Sequence, residues 1–358
     1  MKHILLTLTA ALLLVACGSK NQYTLHVHLA DEQVGTMVYL YDLATQQPLD
    51  SLMADSAMVT FSGDATTPKA VRVQAGNFYG ICFLESGTIE LDPISDALFG
   101  TPLNERYAEA INSDAVQQAR GDFYLQLSVY QSSTPEEQRA MYATVDSLYQ
   151  RFQAAEQEAY TSLYESNPND VLGAFAFASM CERFESAAEM EKALEGASDL
   201  VRQYAPVKAR LELLLKQDAT AVGKTFVDFE GTDYATGEQT TLGKMIEGKL
   251  ALVDVWASWC GPCRAEIRDN LVRIHKEYAA KGLYVVGVDV NDKPEGHKKA
   301  VEDLGVTYAQ LIDPQGTCCD LYGINGIPHI MLIAPDGTIL ARDLRGDAIE
   351  EAVKEHLQ

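Results

Sequence analysis

Two cysteines separated by two residues, in Cys260-Gly261-Pro262-Cys263, are the part of this sequence best equipped for chemistry. A thiolate is a nucleophile, and two thiols in reach of each other can close to a disulfide with release of two electrons. The preceding residues, Leu252-Val253-Asp254-Val255-Trp256, read as an apolar strand ending at Trp256. A short loop follows, which puts Cys260 at the start of a helix. Free backbone N–H groups and the helix dipole favour negative charge there, so the Cys260 thiolate is stabilised. Cys263 falls one helical turn later on the same face, within disulfide reach. Pro262 suits a helix start and restricts the loop between the two. The spacing also admits half of a zinc site or two incidental core cysteines. Zinc needs two further ligands. The adjacent Cys318 and Cys319 could supply sulfur, but neighbours in the chain do not easily present both atoms to one tetrahedral ion. Trp259-Cys260-Gly261-Pro262-Cys263 is more particular than either alternative requires, and neither a metal nor a cofactor is read from the sequence.

The elements that must hold this dithiol alternate between strand and helix. Phe226 to Phe229, Leu250 to Trp256, Leu283 to Asp289, Ile330 to Ile333 and Thr338 to Arg342 read as strands, and Pro335-Asp336-Gly337 as a hairpin turn. Ala265 to Ala280, Pro294 to Leu304 and Asp347 to His356 read as helices. A mixed sheet with helices on both faces is expected over residues 219–358. Upstream the texture differs. From Tyr23, short alternating segments such as Leu25, Val27 and Leu29 are separated by turn residues, which predicts an antiparallel sandwich-like domain over 23–96. Residues 97–218 read as helical. Thr134-Pro135-Glu136-Glu137 opens one helix with a capping box and a proline in its first turn. The expected fold is therefore multidomain: an N-terminal antiparallel β domain, a central α-helical region and a C-terminal α/β domain.

The chain has 358 residues and a formal net charge of −23, from 28 Lys+Arg against 51 Asp+Glu. That balance argues against nucleic acid as a partner, since phosphate binding needs clustered basic residues. The first residues are basic, and Ile4 to Ala16 is almost wholly apolar. This run is too short for a bilayer, which takes about 20 residues, and suits a secretory signal over 1–16. Leu14-Val15-Ala16-Cys17 resembles a bacterial lipobox. That resemblance implies a diacylated Cys17, a tether over 17–22, and attachment to a cell-envelope membrane. Gly18 and Ser19, with no Asp after the cysteine, favour the outer membrane facing the periplasm. Cys82 and Cys181 stand alone in apolar surroundings and read as buried hydrophobes.

Residues Val253 to Arg264 resemble the active-site signature of thioredoxin. The surrounding domain is similar to the membrane-tethered TlpA/ResA-like branch: Gly223 to Phe229 resembles its opening strand, Asn291 to Gly296 its central insertion, and Gly326-Ile327-Pro328 its cis-proline loop. The upstream regions resemble those of Bacteroidetes lipoproteins in architecture alone. The resemblance implies that Cys260 attacks, that Cys263 resolves the mixed disulfide, and that Pro328 is cis against the dithiol with Ile327 pairing to an extended substrate. It implies a buried proton acceptor at Asp254, a lid at Trp259, a packing role for Trp256, and a Gly261-Pro262 pair favouring reduction. His329 stands where Thr is common and is expected to be exposed beside the site. Cys318-Cys319 reads as a buried helix start, with a secondary electron-shuttling thiol as the alternative. The implied activity is a membrane-anchored thiol–disulfide oxidoreductase that reduces or isomerises disulfides of exported proteins and depends on a membrane electron donor. Two other readings stand beside it: a binding or scaffold lipoprotein with an accessory redox site, and a peroxiredoxin-like peroxidase. The peroxidatic loop would carry Pro and Thr, and Asp254 to Trp259 has neither.

Overall fold

The structure is a computed structural model and describes residues 21–92, 95 and 97–357. The expected leader over 1–16 and the lipidation residue Cys17 lie outside the described residues. Contacts divide the chain into two compact units. One runs up to Arg183 and takes in Leu194–Lys208; the other comprises Phe184–Ala193 and the chain from Ala209 onward.

The first unit begins with β1 (Gln22–His28), β2 (Met37–Asp42), β3 (Pro48–Met53), β4 (Met58–Asp64), β5 (Lys69–Ala75), β6 (Phe78–Leu84), β7 (Gly87–Asp92) and β8 (Ala97–Phe99). They form two four-stranded sheets, ordered β4-β1-β7-β8 and β3-β2-β5-β6. Strand periodicity puts alternate residues on one face. Leu25, Val27, Phe61 and Ile89 thus meet Val38, Leu40, Val71 and Phe83 in a single core.

Two expectations are corrected here. The β domain is not wholly antiparallel, because β1 and β7 pair in parallel from Tyr23 with Gly87 to Val27 with Leu91. The second sheet is visited twice between these strands, so no hairpin imposes their direction, and turn signals in sequence report only local pairing. The helical region also does not begin at residue 97. Ala97–Phe99 is a strand paired with β7, too short for alternation to reveal.

Helices follow as α1 (Pro102–Ile111), α2 (Asp114–Ser132), α3 (Pro135–Ser166), α4 (Val171–Met180), α5 (Ala187–Leu194), α6 (Asp199–Gln203) and α7 (Ala205–Ala219). At the start of α3 the Glu137 carboxylate accepts the Thr134 N–H at 2.8 Å, and the Thr134 hydroxyl oxygen accepts the Glu137 N–H at 3.4 Å, as the capping box requires. Phe83, Tyr107 and Phe175 meet edge to face at 5.3–5.7 Å and fasten α1 and α4 to β6.

The second unit holds β9 (Glu230–Asp233), β10 (Gln239–Thr241), α8 (Leu242–Ile246), β11 (Leu250–Trp256), α9 (Gly261–Glu266), α10 (Val272–Tyr278), β12 (Leu283–Val290), α11 (Pro294–Leu304), β13 (Ala309–Asp313), α12 (Thr317–Tyr322), β14 (His329–Ile333), β15 (Ile339–Ala341) and α13 (Asp347–His356). A π-helical turn, Ile267–Leu271, joins α9 to α10. The seven strands are ordered β10-β9-β13-β12-β11-β14-β15, with β11, β12 and β13 parallel.

All seven residues of β11 are buried, as a central strand covered on both faces requires. Leu250, Leu252 and Trp256 face one core with Cys263 and Ile267, while Ala251, Val253 and Val255 face the other. Phe226 to Phe229 is not a strand, contrary to expectation. Isolated backbone bonds hold its ends, Phe226 N–H to the Gly337 carbonyl and Leu242 N–H to the Phe229 carbonyl, and side chains serve the middle: the Tyr322 hydroxyl bonds both Val227 N–H and Val227 C=O, and the Asp228 carboxylate takes the Phe229 and Gly243 N–H groups. The pairing strand starts at Glu230.

Candidate active site

The central strand β11 ends at Trp256, and the chain turns through Ala257-Ser258-Trp259 into α9. Cys260 caps that helix with extended backbone (φ −81°, ψ 105°), and its sulfur accepts the Cys263 N–H at 3.2 Å. The two cysteines form a disulfide with a Cα–Cα distance of 5.3 Å. Cys263 is fully buried and Cys260 is 5% exposed, so the capping sulfur is the one nearer solvent. Pro262 occupies the first turn, where a missing N–H costs nothing. A Cβ added to Gly261 would meet no atom within 4 Å, so this position fronts open space.

The second wall is the loop before β14. The Ile327-Pro328 bond is cis. The Ile327 carbonyl oxygen lies 3.6 Å from Cys260 Sγ, and the Arg345 guanidinium donates to the Pro328 carbonyl. The loop ahead of Cys260 is tied on its other side: Asp292 accepts the Ser258 N–H at 2.5 Å and its hydroxyl at 2.8 Å, and Trp259 Nε1 donates to the Asn291 carbonyl at 3.1 Å. Trp259 is 63% exposed, whereas Trp256 is buried with its Nε1 bonded to Gln310 Oε1 at 3.0 Å.

Asp254 shares its strand face with Leu252 and Trp256, and so points into the core that contains Cys263. It is fully buried and neither carboxylate oxygen has a hydrogen-bond partner. Burial pushes its pKa up to about 8, the charge of Glu266 adds to the rise, and Arg345 opposes it. Such a carboxyl exchanges protons near neutrality. Glu266, three residues past Cys263 on the same helix, accepts the Gly346 N–H at 3.1 Å and the Asn270 amide at 2.8 Å. The Tyr308 hydroxyl is also buried without a partner, and burial followed by Asp254 raises its pKa.

Sequence reasoning missed Glu266, Tyr308, Arg345 and Asp292. Only Glu266 gave a local signal, through its spacing from Cys263. His329 is corrected: it is 7% exposed, not a surface residue. It lies opposite Val255 in a strand flanked on both sides, and burial, then Arg342, pushes its pKa down to about 4. Cys318 is buried at the start of α12, its N–H donated to Asp313 at 2.8 Å, and Cys319 is half-buried.

Residues 222–342 match the AhpC/TSA family. The thiol-disulfide oxidoreductase ResA of Bacillus thuringiensis subsp. konkukian is 26% identical over 143 residues, 40% of this chain and 80% of that protein. The thiol:disulfide interchange protein CycY of Rhizobium leguminosarum is 38% identical over 114 residues, 31% of this chain and 58% of that protein. The crystal structure of the thioredoxin domain of a thiol-disulfide oxidoreductase from Bacteroides vulgatus is 31% identical, covering 38% of this chain and 99% of that one, with a TM-score of 0.36. The stretch matched by the family model carries Cys260 and Cys263, and the C-terminal part of this chain is a thioredoxin-like thiol–disulfide oxidoreductase domain similar to the AhpC/TSA family.

Proposed function

We propose that the chain is a lipid-anchored envelope enzyme that reduces or isomerises disulfides of exported proteins, with Cys260 as nucleophile and Cys263 as resolving thiol. One observation carries this reading: the Cys260 sulfur is held at a helix start by the Cys263 amide and faces the Ile327 carbonyl beside its disulfide partner. An amide bonded to a charged acceptor contributes about 1.5–3 kcal/mol, and that stabilisation exists only when Cys260 is a thiolate.

In the reduced enzyme the Cys260 thiolate attacks one sulfur of a substrate disulfide. The S–S bond breaks, the first substrate sulfur leaves as thiolate, and a mixed disulfide forms. Cys263 then gives its proton to the ionised Asp254 carboxylate, which is within its titration range at neutral pH, and attacks Cys260 Sγ. The second substrate sulfur leaves, two electrons have passed to the substrate, and the Cys260–Cys263 disulfide remains. Ile327 and Pro328 would lie along the substrate chain, with Gly261 leaving it room and Trp259 at the rim. The Gly-Pro pair matches thioredoxin, whose potential near −270 mV favours reduction. A membrane electron donor would restore the dithiol.

The anchor at Cys17 and the outer-membrane location rest on the lipobox-like run. Among the described residues no helix is long and apolar enough to cross a membrane. Residues 23–99, 100–218 and 219–358 are proposed as the functional divisions, with β8 closing the first. The test is trapping. Cys263→Ala should accumulate mixed disulfides with exported proteins, and Cys260→Ser should abolish insulin reduction. Undiminished insulin reduction by Cys260→Ser overturns the assignment.

A further inference from the structure

We propose that Asp289, Asp292 and His297 form a binding site for one divalent first-row transition-metal cation, next to the loop that leads to Cys260. The three residues come from the end of β12, the following loop and the first turn of α11. One ligand atom from each lies within 4.8 Å of the other two. His297 Nδ1 stands 3.3 Å from Asp289 Oδ1. Nitrogen and oxygen ligands about 2.0–2.2 Å from a shared ion stand roughly 3–4 Å apart, so small side-chain rotations complete the set.

The unmet bonding capacity of these groups points to a ligand. His297 is 1% exposed and Asp289 2% exposed, yet His297 Nε2 has no hydrogen-bond partner, and His297 Nδ1 and Asp289 Oδ1 meet only each other, at a long 3.3 Å. Buried polar atoms are nearly always paired, and leaving one unpaired costs about 1–3 kcal/mol. The cluster thus holds one buried imidazole nitrogen with no partner and one nitrogen–oxygen pair in loose contact. A cation bound between them would satisfy the imidazole nitrogen and the carboxylate together and would offset two acidic groups. The tilted rings of Tyr234 and Trp256, 4.9 and 5.3 Å from the imidazole, fix its plane without consuming a nitrogen. Asp292 is half-exposed and gives the ion an entrance, with solvent completing the coordination. One imidazole and two carboxylates suit Zn²⁺, Mn²⁺, Fe²⁺ or Co²⁺, not the thiolate-preferring Cu⁺.

The placement gives such an ion a consequence. Asp292 also accepts the Ser258 N–H and hydroxyl, two residues ahead of Cys260. A Cβ on Gly296 would lie 2.7 Å from Ser258 Oγ and 3.2 Å from Asp292 Oδ1, so glycine permits this close approach. An ion holding Asp292 would therefore hold the loop before the nucleophile.

Co²⁺ titration of the oxidised full chain, followed by calorimetry and visible absorption, tests the site without reference to activity. The expected result is one equivalent bound, with d–d bands and no sulfur-to-cobalt charge transfer. Asp289→Asn and His297→Gln should each abolish it. Asp292→Asn, at a half-exposed position, should weaken it at least tenfold and keeps the test decisive if a core variant does not fold. Absence of saturable binding by the folded wild type, full binding by the folded variants, or a sulfur charge-transfer band placing the ion on Cys318 and Cys319 would each overturn the proposal.

Discussion

Replacing Asp254 with Asn removes a titration that the fold makes expensive, and the size of the effect follows from the burial. In the unfolded chain the carboxyl ionises near its ordinary 3.8, and in the folded chain near 8. Between those values the folded protein keeps a proton that the unfolded chain has released. Stability is therefore full below about pH 4, declines as pH rises toward 8, and levels off above. The slope is about 1.4 kcal/mol per pH unit, so between pH 5 and pH 7 the wild type should lose about 3 kcal/mol relative to Asp254→Asn. That is a large part of the roughly 5–15 kcal/mol that holds a domain folded. Asn keeps the shape, and any cost of its own unpaired amide is independent of pH, so the comparison rests on slope and not on intercept. The two compact units could unfold separately, which makes the probe important. The chain has two tryptophans, Trp256 and Trp259, both in the C-terminal unit. Urea denaturation of the oxidised protein followed by their fluorescence isolates the relevant transition. Parallel stability curves for wild type and variant from pH 5 to pH 8 would refute the burial argument. Loss of the proton acceptor should also slow disulfide reduction by about 10²-fold or more, and remove the inflection near pH 8 from the pH–rate profile.

His329 works in the opposite direction. Its folded pKa near 4 lies below the usual 6.5, so below pH 6.5 the unfolded chain binds the extra proton and stability falls with acidity. His329→Gln should recover about 2–3 kcal/mol at pH 4.5, measured by the same fluorescence-detected unfolding; an unchanged acid limb would refute it. Gly287→Ala should destabilise the C-terminal unit by about 1–3 kcal/mol. Its Cβ would meet the Gln310 side chain at 2.4–2.8 Å, and that amide accepts the buried Trp256 N–H. A wild-type urea midpoint would contradict it.

Legibility followed the range over which each feature is encoded. The dithiol is local: Cys260 and Cys263 are one helical turn apart, and the strand before them announces itself by seven apolar or buried positions with a single acid among them. The same locality made the Thr134–Glu137 cap readable. What depended on sheet order was lost. β13 gave no clear signal in five residues, yet it places Tyr308 just ahead of its start, beside Asp254. Arg345 is 17 residues beyond the Pro328 carbonyl it bonds, and nothing in the intervening sequence says that the chain returns. His329 read as exposed because it follows a loop, but pairing with β11 makes it interior.

Asp254 shows why such a site is held by the whole sheet. A valine in its place would leave β11 more stable, since the neighbours on its face are apolar and its oxygens have no partner. The parallel pairing of β11 with β12 and its antiparallel pairing with β14 leave the residue nowhere to turn toward solvent. The stabilisation forgone is what lifts the carboxyl into the range where a thiol can give it a proton and later take it back. A nearby acid on the helix, Glu266, pushes further in the same direction, while Arg345, which also grips the cis-proline loop, restrains the rise. Substrate binding against that loop would bear on Arg345 and, through its charge, on Asp254, so the proposed proton acceptor and the proposed substrate-binding loop are linked by one guanidinium.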